Sequence, residues 1–572
     1  MRTDGRSLWL DLLDDGQQPW QTQGYLLDEV DSLTLSATMS DEEKGHDKYR
    51  VFTMHITTLD EAPVADRENW VDCHVSIDGM GQYSPYSGTA KIKGRGNSTW
   101  EWYDKKPYKI KLDEKSKLLG LEKAKDWNLL ANYRDLTDLM NAYAFELARG
   151  MGMPYTNHTR FVELFLNGDY IGLYQLTEKI EVDKNRVNIS EEGGLLLSLD
   201  LDDGPSLSPD AGDNFWSRIY GLPVCVKYPK EPSAERLDSI RSDLSILEKA
   251  IQQHNYPLVD SLMDIPSFIS LLQLHEYLYN VELQAPRSVY LFKDKDGKYT
   301  WGPMWDWDAG FDFDWTNMYT GHDYFGSVYK LILGQDPAHT SAASGFWSDM
   351  FNDADFVSRY KEQWQGVSDS LAVKAWDEME HYLINLKNGP YARDITRWPI
   401  PAKTPEQEVE RLHDWLLRRL EVVNDVVKAY PAGVPYQPSE DGEATLEVVN
   451  GEICITQPVD FRRGYTQSGM IEIPSELVYQ LLGVQPNVLV PINANGTQGT
   501  NTAAGRYGAW FDAQGNTNDW GRGHVFIESD DLYAWHFGCH PDNCRAGDTH
   551  TVRMQYSRSR KTLIVNVKFV VK

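Results

Sequence analysis

Cysteine is scarce in this chain, five residues among 572, and no two of them form a Cys-x-x-Cys pair. That excludes a disulfide-stapled miniprotein and disfavours a structural zinc site. Cys539 and Cys544 sit five residues apart and read either as a bridge or as two unrelated buried thiols. No apolar run approaches the roughly 18 residues of a membrane span. Positive charge is in deficit, with 56 Lys and Arg against 85 Asp and Glu, a net charge of −29. A chain this acidic repels nucleic acid and anionic membrane. The 14 histidines show neither His-Glu-x-x-His nor His-x-His spacing. Gly-x-Ser-x-Gly is absent too, which argues against an α/β-hydrolase. No internal repeat is evident, so a solenoid or propeller is not favoured. No apolar segment of the kind that opens an export signal follows Met1.

What is present is ample core material, 41% hydrophobic and 12% aromatic, enough for two to four domains at ~100–200 residues each. Residues 1–46 are polar and acidic and read as a leader or linker, with one strand at Leu33–Ser36. Strand signals begin at Val51 and Val71, and a half-buried strand with a basic face runs from Tyr108 to Leu112. Leu139, Tyr143, Leu147 and Met151 recur at helical spacing, and Gly150, Gly152 and Pro154 end that helix. Hairpins are expected at Phe161–Leu176, around Asn167-Gly168, and at Ser288–Trp301. Helices are expected at Ser233–Gln253, from Ile265 to about Asn280, and over most of 345–430. Residues 431–441 read as a linker. From 442 to 572 the pattern is alternating strands with Gly/Asn-rich turns. From 441 to 572 there are 14 acidic and 11 basic residues, so the acidic excess lies almost wholly in the first part.

Two constellations carry chemistry. Between Lys91 and Lys125 there are 11 basic and 5 acidic residues, a positive island in a negative chain. It opens with Lys93-Gly94-Arg95-Gly96-Asn97-Ser98, where small residues let backbone N–H groups approach an anion and Lys93 and Arg95 share one side. Lys109 and Lys111 then share a strand face. Cations facing a Gly-rich turn suit polyphosphate; the alternative is a solvated face paired with the protein's own acids. The second constellation is Trp305-Asp306-Trp307-Asp308-Ala309-Gly310-Phe311-Asp312-Phe313-Asp314-Trp315. If extended, it places aspartates on one face and aromatics on the other, a hard-cation site for Mg²⁺ or Mn²⁺. Its alternative is an edge strand with a solvated acidic face. An EF-hand is disfavoured because Asn317 stands where the bidentate Glu belongs. Glu178 is a candidate partner for a lysine of the basic island.

These segments together resemble the CotH family of atypical, secretory-type protein kinases. The likeness spans about Tyr49 to Tyr430 and rests on Lys93–Trp100, Lys105–Lys111, Trp127–Asp135, Gly168–Tyr174 with Glu178, Ser288–Asp294 and Gly302–Asp308. It implies an α+β architecture, a distorted protein-kinase-like domain over 47–430 followed by an all-β, sandwich-like domain over 442–572. It implies ATP, a divalent metal (Mg²⁺ or Mn²⁺) and transfer of the γ-phosphate to Ser or Thr hydroxyls of a protein acceptor. Carried over, Lys106 or Lys109 contacts phosphate with Arg95 and Lys93 assisting, and Glu178 pairs with that lysine. Asp306 is the metal ligand and a catalytic residue, Asp308 supports it, and Glu282 fills the catalytic-base position where the family usually has Asp. Its extra methylene displaces the carboxylate, and such misplacement costs on the order of 10²-fold in rate. A second departure is Ser198, where the family often has Glu. The alternative is therefore a catalytically weak surface adhesion or scaffold protein. The tail resembles β-rich modules of bacterial surface proteins, in which Trp510, Trp520, Tyr533 and Trp535 either stack on a glycan or pack a core. Leu27–Thr34 looks like the start of a mature bacterial lipoprotein, which implies export.

Overall fold

A computed structural model describes residues 2–3, 7–13, 19–26, 48–205, 212–313, 331–333, 342–400, 403–433, 444–461, 469–529 and 531–572. It is a mixed α+β structure with a strand-rich C-terminal region. Near the N-terminus, where a polar leader is expected, three short strands, β1 (Arg2–Thr3), β2 (Ser7–Leu13) and β3 (Pro19–Leu26), pair antiparallel into a small sheet. The alternating Leu/Trp/Leu of Ser7–Leu13 is a strand signal that the acidic composition of the segment masks. The strand expected at Leu33–Ser36, most of the 431–441 linker, Asp314 and Trp315 lie outside the described residues.

Seven strands then close into a barrel: β4 (Val51–Thr58), β5 (Val71–Asp78), β6 (Tyr86–Gly94), β7 (Tyr108–Ser116), β8 (Ala124–Leu130), β9 (Arg160–Leu166) and β10 (Asp169–Glu178). Alternation drives it. Along β4, every second residue from Phe52 is buried, and Phe52, Met54, Ile56, Val75, Ile92, Ile110, Trp127 and Leu164 fill the interior. The inward pair Ile92 and Ile110 fixes the β6–β7 register, which sets Lys93 opposite Lys109 on the other face. Closure comes from a parallel pairing of β4 with β9, aligning Val51 with Phe161 and Ile56 with Leu166.

A five-stranded sheet follows, built from β11 (Leu195–Leu199), β12 (Asn214–Trp216), β13 (Pro223–Tyr228), β14 (Val289–Lys293) and β15 (Thr300–Trp301), in the order β12-β13-β11-β14-β15. Helices Met140–Gly150, Ala234–Gln252, Ile265–Tyr277, Ala354–Gly366, Ala372–Leu386 and Pro405–Ala429 surround it. They share the largest core, with Phe268, Trp301, Trp347 and Trp415 at its centre. The Ile265 helix shows how such a helix starts: Asp264 accepts from Ser267 N–H at the N-cap and Pro266 occupies the first turn.

After residue 444, two five-stranded sheets enclose one separate apolar cluster including Ile455, Phe511, Trp535, Val552 and Phe569. Trp535 is buried in that cluster and packs a core; Trp510, also buried, stands outside the cluster and meets the 60%-exposed Trp520 edge-on, ring centres 6.1 Å apart. Cys539 and Cys544 are free thiols. This region meets the larger one through an ion pair of Arg218 with Glu472 and through Met470, which packs against the main core.

Candidate active site

The open end of the barrel and the five-stranded sheet bound a cleft of about 290 Å³. From the barrel side come Arg95, Gly96, Asn97 and Ser98 after β6, then Lys105, and the loop after β8 with Asn132 and Arg134. From the other side come Asp200 after β11, then Glu282, Arg287, Ser288, Trp305, Asp306 and Asp308. The Gly-rich turn is built tightly: Gly96 has φ +81°, and a Cβ there would stand 2.2 Å from Thr99 Oγ1. Arg95 N–H donates to Pro107 O at 3.1 Å, and its guanidinium lies 5.3 Å from the Trp305 ring centre.

The acidic wall is a loop, not the extended strand that the alternation of Trp and Asp predicts. Asp306 adopts φ +66°, Phe311 +54° and Asp312 +61°. The aromatics Trp307, Phe311 and Phe313 turn into the core, while Asp306 and Asp308 both reach the cleft. Trp307 N–H is held by Asn141 Oδ1 at 2.9 Å, which ties this loop to the Met140 helix. Ser288 Oγ donates to Asp306 Oδ2 at 3.2 Å, and Ser288 N–H donates to Asp200 Oδ2 at 3.2 Å. Glu282 sits on a one-turn helix, Val281–Leu283, whose N-cap Asn280 accepts from Glu282 N–H at 3.1 Å.

The charges respond to one another across the cleft. Burial pushes the Glu282 carboxyl well above its ordinary range and Asp306 pushes it further, while Arg134 and Arg287 pull the other way. Burial raises Asp308 to about 7, with Arg134 opposing and Asp306 adding. Burial, with a smaller push from Asp203, raises Asp200 to about 6 against its hydrogen bonds from Asp202 and Ser288 N–H. Burial depresses Arg95, and Asp306 and Asp308 offset only part of the loss. Burial would lower Arg134 as well, but Asp308, Tyr103 and Asp306 outweigh it; its guanidinium lies 4.8 Å from the Phe313 ring centre and hydrogen-bonds Tyr103 Oη at 3.3 Å.

Arg95, Glu282, Asp306 and Asp308 therefore meet in one cleft, whereas Lys93, Lys106, Lys109 and Glu178 are not among its lining residues. Lys106 Nζ donates to Trp100 O at 2.6 Å. Lys109 pairs with Asp126 at 3.1 Å, and Lys93 and Lys109 both lie over Trp70. The ion pair expected between Glu178 and Lys106 or Lys109 is not formed: Glu178 accepts from His158 Nδ1 and His158 N–H, both at 2.8 Å, and faces Arg186 at 3.9 Å. It lies on the last residue of β10, directed to the β9 side. Ser198 is buried in β11 and does not line the cleft, whereas Asp200, two residues on, does.

The lysine that does reach the cleft is Lys105, only 2% exposed. Its Nζ is held by Asp394 of helix Pro390–Arg397 at 2.9 Å and stands 5.2 Å from the Tyr174 ring centre. Counting strand alternation back from Ile110 and Tyr108 puts Lys106 inward. Pro107 breaks that parity, so Tyr103 and Lys105 are buried instead. Pro107 was the available signal. Arg134 lies in the Trp127–Asp135 segment that carries the family resemblance, though the sequence alone assigns it no role, and Arg287 stands among ordinary loop residues.

The donor set suits a divalent cation. Asp306 and Asp308 face one space, and Glu282 and Asp308 hold protons more tightly than usual because they are buried and Asp306 adds a like charge beside them. Among the described residues no group of three or more His, Cys, Asp or Glu is placed to hold a metal ion by itself. Mg²⁺ does not require one, since it is commonly held by one or two carboxylates together with substrate phosphates.

A family model described as CotH kinase protein matches residues 92–423. The chain belongs to the CotH kinase family. All the cleft residues named above, Arg95 to Asp308, fall inside the CotH span. The C-terminal region matches, over residues 481–562, a domain of unknown function (DUF4859). No curated protein matches the chain.

Proposed function

We propose that this CotH protein is a metal-dependent, ATP-using kinase that phosphorylates Ser or Thr hydroxyls of an exported or surface protein. The observation that carries the reading is the cleft itself, with Arg95, Lys105 and Arg134 on one wall and Glu282, Asp306 and Asp308 on the other. Phosphoryl transfer asks little covalent chemistry of a protein; it needs positioned charge. The basic wall takes the charge of a triphosphate, with Arg95 and Arg134 offering fork-like donors and Lys105 a point charge fixed by Asp394. Asp306 and Asp308 are the residues that would hold Mg²⁺ or Mn²⁺, which when bound offsets phosphate charge. Ser288 fixes the Asp306 carboxylate through its hydroxyl. Glu282 receives the acceptor hydroxyl's proton once it has lost its own, a state that Arg134 and Arg287 favour and burial opposes.

A thermal-shift series with ATP, Mg²⁺ and Mn²⁺, separately and together, tests the nucleotide step. The joint stabilisation should exceed the sum of the separate ones. Labelled-phosphate transfer to the chain itself or to a mixed protein acceptor tests the chemistry. Asp306→Asn should lower metal-dependent transfer at least ~10²-fold, as expected for losing a group that places transition-state charge. A wild-type chain that shows no nucleotide binding and no phosphate transfer would end this reading.

One observation supports a second reading, a nucleotide-binding scaffold with weak turnover: Glu282 is buried and holds its proton against ionisation. On that reading nucleotide binds without transfer, and Glu282→Asp raises turnover.

A further inference from the structure

The C-terminal region carries a cluster of sulfur and imidazole groups far in sequence from the cleft. Cys539 ends the strand Ala534–Cys539, and the turn His540-Pro541-Asp542-Asn543 brings Cys544 back to meet it. The turn is fastened at several points. Cys544 N–H donates to His540 O at 3.2 Å, Asp542 and Asn543 N–H donate to His540 Nδ1 at 3.0 and 3.2 Å, and Asn543 Nδ2 donates to Gly523 O at 2.8 Å. Both cysteines are fully buried, and their thiols stand close enough to shift each other's proton affinity. Cys544 Sγ donates to His524 O at 3.1 Å and lies 3.9 Å from His550 Nε2. The His524 and His550 ring centres are 5.2 Å apart, and His524 Nδ1 is buried with no hydrogen-bond partner.

An imidazole beside a thiol accepts its proton and stabilises the thiolate. Burial does the opposite, as at Cys73, pushed up to about 12 with Asp72 and Asp113 adding, and at Cys225, also raised. Cys544 is pulled down, first by the hydrogen bond from Cys539 and then by His550 and His524, against the effect of burial. Cys539 is pushed up, since it keeps the shared proton; burial and the charge of Asp460 act in the same direction. One sulfur is thus prepared to attack, and a second waits in contact with it. The four Cys and His side chains do not have the geometry of a metal site.

We propose that Cys539 and Cys544 form a redox-active dithiol that a small hydroperoxide converts to a disulfide, with Cys544 as the attacking sulfur and Cys539 as the resolving one. The Cys544 proton passes to His550 Nε2, and the thiolate attacks one oxygen of hydrogen peroxide. The O–O bond breaks, the leaving hydroxide takes the proton from His550 as water, and Cys544 is left as a sulfenic acid. The Cys539 sulfur then attacks the Cys544 sulfur, the S–O bond breaks, and hydroxide leaves with the Cys539 proton as a second water. Two thiols lose two electrons, and one peroxide gains them.

The test uses the reduced full-length chain and hydrogen peroxide. Trypsin releases both cysteines in one peptide, Gly523–Arg545. In the wild type this peptide should become two hydrogen atoms lighter and resist alkylation until a reductant is added. Cys539→Ser should stop at a sulfenic acid on Cys544, trapped by a cyclic dione. Cys544→Ser should leave Cys539 open to alkylation after unfolding. His550→Gln should slow disulfide formation about tenfold near neutral pH, because less of Cys544 is thiolate. The proposal is overturned if both thiols of the wild-type peptide survive peroxide, if Cys73 and Cys225 oxidise as fast, or if stoichiometric zinc accompanies the protein and protects the pair. The wild-type measurement decides even where a variant fails to fold.

Discussion

Two neighbouring lysines separate a buried charge from a peripheral one. Lys105 is enclosed with Asp394 beside it and Asp138 near, whereas Lys106 is half-buried and bonded to a single carbonyl. Removing one partner of a buried ion pair leaves the other charge without compensation, which costs about 3–5 kcal/mol. Lys105→Ala should therefore lose about that much in urea unfolding, and Lys106→Ala no more than about 1.5 kcal/mol. Equal losses would contradict the burial difference. At this scale the sequence revealed which residue types mattered and the span that carried them. It did not reveal which lysine turned inward, because Pro107, just before β7, shifts the parity of the residues that lead into that strand.

Helix Ala234–Gln252 is legible from its apolar spacing and ends within a residue of expectation. Its one buried acid is not legible as such. Glu248 lies under the 217–222 turn, accepting from Ser217 Oγ at 2.5 Å and from Tyr220 N–H at 3.2 Å, and burial raises its pKa to about 7. The folded state then holds a proton that the unfolded chain releases near its ordinary value of 4.5. Stability contributed at low pH is lost as pH rises from about 4.5 through about 7. Glu248→Gln should melt higher than wild type at about pH 8, with the difference shrinking toward about pH 4.5. A constant difference across that range would mean that the carboxyl is not protonated in the fold. Hairpins were equally legible, because their turns and strands are adjacent in the chain. The barrel was not, since the β4–β9 pairing that closes it joins segments more than a hundred residues apart.

The whole chain carries a net charge of −29, nearly all of it before residue 441. Like charges crowded into a compact body repel one another, and salt screens them over about 8–10 Å. Raising salt from about 10 to about 150 mM should therefore raise the melting temperature by a few degrees. A fall would mean that attractive ion pairs outweigh the repulsion. The two regions hold separate cores, joined at Met470 and at the largely exposed Glu472 with Arg218. A pair of that kind contributes about 0–1 kcal/mol, so Glu472→Ala should leave the main transition nearly unmoved in a calorimetric scan.

The sequence by itself determined the class of the protein, because hydrophobic period, turn chemistry and the order of the family's segments are local properties of the chain. It also determined that basic residues near 95–109 and acids near 282–308 were the groups to watch. Only the tertiary structure decided that Arg95, Lys105 and Arg134 face Glu282, Asp306 and Asp308, that Glu178 serves His158, and that Asp306 projects from a loop. Those outcomes depend on which side chains the core excludes and where distant strands meet, and such choices are made by packing between segments rather than within any one of them.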